Sequence, residues 1–173
     1  FVSSSGGGGQ TTQRGKERIL TPENERAAVA PTPTVTLPPA HQISLPMHTY
    51  QSFNNCGPAT LAMYMNFLGF PVAQQELGQR LRPYQNVAGD NDDKSVNLTE
   101  LAEDAKAQGL HSYYRPGGDI ALMKRLLAAD IPVIVRTWLD AGDDIGHYRI
   151  VRGYDDRTQQ LLQDDSYQGP NRY

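Results

Sequence analysis

From Ala59 to Leu68 the chain reads Ala-Thr-Leu-Ala-Met-Tyr-Met-Asn-Phe-Leu without one charged residue, and Gly69 follows. Few of these residues are β-branched, and a closing glycine suits a helix C-terminus, so the stretch is predicted to be helical. A helix with no charged face must be enclosed by the rest of the fold. Pro58 fits its first turn, where a missing N–H costs little. Cys56, the only cysteine, therefore falls at the amino end of that helix. Unpaired N–H groups and the positive end of the helix dipole there favour an anion, and the anionic thiolate is the reactive form of cysteine. Gln51, on the incoming loop, could aim its amide NH2 at the same spot beside the Cys56 backbone N–H. Two such donors would make an oxyanion hole, in which removing one donor costs about 3 to 4 kcal/mol of transition-state stabilisation. The plainer reading of the same stretch is that Cys56 is a small buried hydrophobe.

The chain has 173 residues, enough for one domain with a real core. A net charge of -3 without basic clusters argues against nucleic acid and anionic membrane as partners. A lone cysteine excludes an internal disulfide framework and any CxxC zinc or redox site. No HExxH or comparable ligand cluster occurs, so neither metal nor cofactor is expected. No apolar run is long enough to span a membrane, and the first residues lack the basic start and apolar middle of an export signal.

Residues 1–40 hold one aromatic, a Gly6 to Gly9 run, and then Pro31, Pro33, Pro38 and Pro39. This composition cannot bury enough apolar surface to offset ordering entropy, and it predicts a disordered tether, flexible first and stiffer later. Tethers of this kind join exported domains to anchors, so an extracellular or cell-surface location with an upstream membrane anchor is the expectation. Residues 41–173 form the expected folded domain. His41 to Tyr50 reads as an incoming strand or loop, and Val72 to Leu81 as a short helix with Leu77 and Leu81 four apart. Pro83 to Val96 is a loop, whose Asp90, Asp92 and Asp93 lack the spacing of a calcium loop and read as a solvated acidic stretch. Asn97-Leu98-Thr99-Glu100 has the form of a helix cap, with Asn97 and Glu100 three apart, and also spells a glycosylation sequon. Further on, Leu110 to Arg115 reads as a strand, Asp119 to Ala129 as a helix, and Ile131 to Trp138 as a buried strand.

Gly146 to Asp155 and Gln159 to Asp165 are strand patterns joined by a turn-like Asp-Asp-Arg-Thr, which predicts a hairpin. If its loop is odd-numbered and centred on Asp156, His147 lies directly across from Asp165, at a Cβ separation of about 4.5 to 5.5 Å. Asp164 would then face the other side; a half-step change of loop centre reverses the choice. Cysteine hydrolases need a thiolate, a base that becomes the acid for the leaving group, and a group that fixes the imidazole tautomer. Cys56, His147 and one of these aspartates supply the three. His41 and His48 lie in a loop near the tail, and His111 follows a helix end, so they are weaker candidates.

Cys56-Gly57-Pro58-Ala59 with upstream Gln51, then Gly146-His147-Tyr148 through Gly153-Tyr154-Asp155, then Asp165-Ser166-Tyr167-Gln168-Gly169, resemble the papain-like cysteine peptidases related to bacteriocin-processing, double-glycine leader peptidases. The resemblance runs from about His41 to Tyr173. It implies an α+β papain-like fold, with a helical lobe starting at the nucleophile and a twisted antiparallel sheet bearing histidine and aspartate. It also implies that Gln51 is the oxyanion donor, Cys56 the nucleophile, His147 the general base and Asp165 its orienter, acting on a peptide or protein substrate through a thioester. Leader-processing relatives commonly place the glutamine six positions before the cysteine, against five here, and often have proline where Ser166 stands. Two other functions use the same residues or fold. One is a peptide-binding or scaffold domain without chemistry; the other is a transglutaminase-like thiol acyltransferase, in which an amine takes the acyl group instead of water.

Overall fold

A computed structural model of the protein describes residues 36–82 and 95–173. Most of the expected tether, and the loop holding Asp90, Asp92 and Asp93, lie outside the described residues. Four helices and five strands are present among those described: β1 (Ala40–Gln42), α1 (Cys56–Phe67), α2 (Gln74–Leu81), α3 (Leu98–Ala107), α4 (Ile120–Ala128), β2 (Val133–Trp138), β3 (Gly146–Asp155), β4 (Gln160–Asp165) and β5 (Gly169–Arg172). All strand pairings are antiparallel, so the expected α+β class is what the chain adopts.

The uncharged α1 is enclosed as its composition requires: Ala59, Thr60 and Met63 have no exposed surface. Leu61, Ala62 and Met65 of α1 pack with Leu77 and Leu81 of α2, Leu101 and Ala105 of α3, and Tyr148 of β3. A second core joins Leu127 and Met123 of α4 to Val151 and Val135 of the sheet. Successive side chains of a strand alternate between faces, so Tyr148 and Val151 serve the two cores from one strand. β3 is buried almost throughout because it pairs with β4 along one edge, with β2 along half of the other, and with β1 along the remaining half.

The capping box at Asn97 and Glu100 forms in full, with both hydrogen bonds at 2.9 Å. Asp119 caps α4 through the Ala121 and Leu122 amides. Four expectations need correction, and the first three concern which residues join the sheet. Leu110 to Arg115 forms no strand; Tyr113 is 90% exposed and Tyr114 half exposed, so the segment has no core to alternate against. Gly169–Arg172 forms a strand that the pattern concealed, paired to β4 across a turn at residues 166–168 that closes on Gly169 at φ 108°. Pro38 to Ala40, assigned to the tether, belong to the sheet edge: Tyr154 Oη donates to the Pro38 carbonyl at 2.8 Å and the Asp156 amide to that of Pro39 at 2.9 Å.

Hairpin register is the fourth correction. Asp165 lies opposite Arg149, and Asp164 opposite Ile150, so His147 is not directly across from Asp165. The loop has four residues, with Gln159 in the left-handed region at φ 55°, and a bulge between Val151 and Gly153 inserts one more residue in β3. Each addition shifts the pairing away from the symmetric turn that the sequence suggests. His147 instead sits two residues from Arg149 on the same face, diagonal to Asp165, a position a long side chain still spans.

Candidate active site

Cys56 is the first residue of α1 and is half-buried. Asn55 occupies the N-cap position but gives its side chain elsewhere: its amide nitrogen donates to Ser52 Oγ at 2.8 Å, and its oxygen accepts from Arg82 at 2.7 Å. No side chain caps the helix, which leaves first-turn amides available at the sulfur. The loop before it is held from α2. Gln74 Nε2 donates to the Tyr50 carbonyl at 2.6 Å, and its oxygen accepts from the Ser52 amide at 2.9 Å. The buried Arg82 also donates to the Asn54 carbonyl at 2.8 Å.

His147 Nε2 and Asp165 Oδ1 are 2.8 Å apart, and both side chains are almost wholly buried. An ionised carboxylate only accepts, so Nε2 carries the proton and Nδ1 is left for exchange with the sulfur. Burial alone would disfavour the charged ring. The hydrogen bond to Asp165 and the interaction with Cys56 outweigh it and push the His147 pKa up to about 9. Asp165 is itself fixed by Arg149 Nε at 2.7 Å on Oδ2, and by the Tyr167 and Gln168 amides at 2.7 and 2.9 Å on Oδ1. Burial opposes its charge, yet His147 and these backbone donors hold its carboxyl well below the usual range.

Asp164 turns away from this cluster. It accepts from Arg152 Nε and from the Asn171 amide, both at 2.9 Å, and has no contact with His147. Gln51 is placed by Ser166: the Gln51 backbone N–H donates to the Ser166 carbonyl at 2.8 Å, and Ser166 Oγ donates to Gln51 Oε1 at 2.9 Å. With Oε1 so occupied, the NH2 end of the Gln51 amide is the end left for another acceptor. The remaining histidines have other surroundings. His41 binds Asp130 at 2.8 Å, His48 packs edge-on to Tyr50 with its pKa lowered by burial, and His111 is exposed.

Sequence reasoning did not find Arg149, Ser166 or Arg82. Arg149 had a signal, two positions from His147 on one strand and so on one face. Ser166 and Arg82 had none, because their partners are remote in sequence. Among the described residues, no group of histidine, cysteine and acidic side chains could hold a metal ion, and no helix is long and apolar enough to cross a membrane.

A cysteine at a helix amino end, and a histidine hydrogen-bonded to a buried aspartate on an antiparallel sheet, are the kinds of group a thiol hydrolase uses. Residues 35–173 match the family model described as Peptidase_C39 like, and the chain belongs to that family, which makes it a cysteine-type peptidase with peptide substrates. No curated protein matches the chain. Among solved structures, xylellain, a cysteine protease from Xylella fastidiosa, is similar over 76% of this chain and 75% of its own, at 15% identity and a TM-score of 0.48.

Proposed function

We propose that the protein hydrolyses peptide bonds with Cys56 as nucleophile, His147 as general base and acid, Asp165 as its orienter and Gln51 as an oxyanion donor. The sulfur, paired with the His147 imidazolium, attacks the amide carbonyl and forms a C–S bond. The developing oxyanion is met by the Cys56 N–H and the Gln51 NH2. His147 then gives its proton to the departing amine as the C–N bond breaks, leaving a thioester. Water, deprotonated by the same ring, attacks the thioester, and the acid leaves with the sulfur restored. Asp165, buried and four times hydrogen-bonded, stays ionised and keeps the proton on Nε2 throughout.

One observation carries this reading: the His147 ring is hydrogen-bonded to the buried Asp165 at 2.8 Å, with Cys56 among the groups that raise its pKa. The test is Cys56→Ala. It is expected to abolish both peptide hydrolysis and covalent labelling by a thiol-directed peptide electrophile, while circular dichroism stays that of the parent. Hydrolysis that survives in this variant would reject the assignment.

A further inference from the structure

Beside Cys56 lies a small recess whose walls include Gly57, Ser95, Val96, Tyr148 and one cation, Arg136. Arg136 stands opposite Tyr148 in the β2–β3 register, so the two share a face. Its guanidinium carbon is 5.9 Å from the centroid of the Tyr148 ring. The group also lies across Gly146, where an added Cβ would collide with it. Ring and glycine together seat a planar fork at the recess at little cost in side-chain freedom. The arginines of β3 are neutralised: Arg149 by Asp165 and Arg152 by Asp164. Arg136 has no carboxylate partner among the described residues, though it lines the same recess as Cys56.

We infer that Arg136 sets specificity, selecting peptides with an acidic side chain at one of the two positions on the acyl side of the scissile bond. The inference rests on the peptidase reading above. The side follows from the chemistry. His147 must reach the departing amine, so that half of the substrate lies against the imidazole. The recess is walled by the nucleophile and its following residue, and not by His147, Gln51 or Tyr167, so it receives the half that remains on the sulfur. A guanidinium binds a carboxylate through two parallel N–H···O bonds, which the amide of glutamine cannot reproduce although its shape is the same.

The test uses acetylated peptides with a fluorogenic amine leaving group, identical except for Glu, Gln or Lys at each of the two positions. At one position Glu is expected to exceed Gln by about tenfold in kcat/KM, mostly through KM, with the advantage shrinking as salt is raised. Arg136→Glu is expected to invert the order so that Lys leads, a gain that an unfolded protein could not show. Equal rates for the three side chains, or an Arg136→Glu variant that keeps the Glu preference, would overturn the role of Arg136 and leave the peptidase reading intact. If the parent protein cleaves none of the peptides, the peptidase reading falls and this inference falls with it.

Discussion

Ser166 is wholly buried, yet its hydroxyl serves a side chain from a loop 115 residues away. A serine hydroxyl can donate only once, and here it donates to Gln51 Oε1, which selects one of two amide orientations. In the flipped orientation the oxygen would point where the proposed mechanism develops negative charge. Ser166→Ala removes the selection without removing Gln51, the proposed oxyanion donor. The net worth of one such hydrogen bond is about 1 kcal/mol, so kcat is expected to fall roughly five- to tenfold. KM should hardly move, because the interaction strengthens only as the oxyanion forms. A change confined to KM in steady-state kinetics would mean that Gln51 serves binding instead. The departure from the proline common in relatives thus has a structural counterpart, a hydroxyl that locks the glutamine.

At the scale of elements, the arrangement proposed for catalysis depends on how the loop from Tyr50 to Asn55 is held, and α2 holds it. Gln74 is buried and uses both ends of its amide on that loop's backbone. Gln74→Leu keeps the volume but leaves the Ser52 N–H and the Tyr50 carbonyl without these partners. A loss of stability of about 1 to 3 kcal/mol is expected from urea unfolding. Labelling of Cys56 by a thiol-directed peptide electrophile should slow at the same time, since the helix that Cys56 opens starts where this loop ends. The helices were legible in the sequence because their signals are local: an uncharged run before Gly69, a capping box at Asn97, a capping aspartate at Asp119. The register of β3 and β4 was not, since it is set by a bulge near Arg152 and a left-handed Gln159, which periodicity does not register. His147 and Asp165 still meet despite that error, because a diagonal pair on one face comes within reach of a long side chain. The buried arginines show the same limit. Arg149 and Arg152 read as ordinary strand charges until the fold brings Asp165 and Asp164 beside them.

For the molecule as a whole, two histidines with opposite shifts set how stability depends on pH. His147 is raised from 6.5 to about 9, so the folded state binds its proton more tightly than the unfolded chain does. Its contribution is complete below about 6.5 and is lost as pH rises through about 9. His48 is the reverse: burial, the largest cause, outweighs attraction from Asp164 and Asp165 and lowers its pKa below 6.5. Its contribution is complete above 6.5 and is lost as pH falls below that value. Asp165, held far below 3.8, adds a stabilisation that is lost only in stronger acid. Tyr148, raised by burial to about 12, bears on stability only above its ordinary value of 10. Between these outer limits the melting temperature is expected to peak near pH 6.5 and decline on both sides. The two limbs have separate owners and can be removed separately. His48→Gln should flatten the acid limb and His147→Gln the alkaline one, each leaving the other in place, in calorimetric scans from pH 5 to 9.5. Were the alkaline decline to persist in His147→Gln, the charge on this ring would not be what the sheet stabilises, and the imidazolium assigned to the catalytic pair would lose its thermodynamic support.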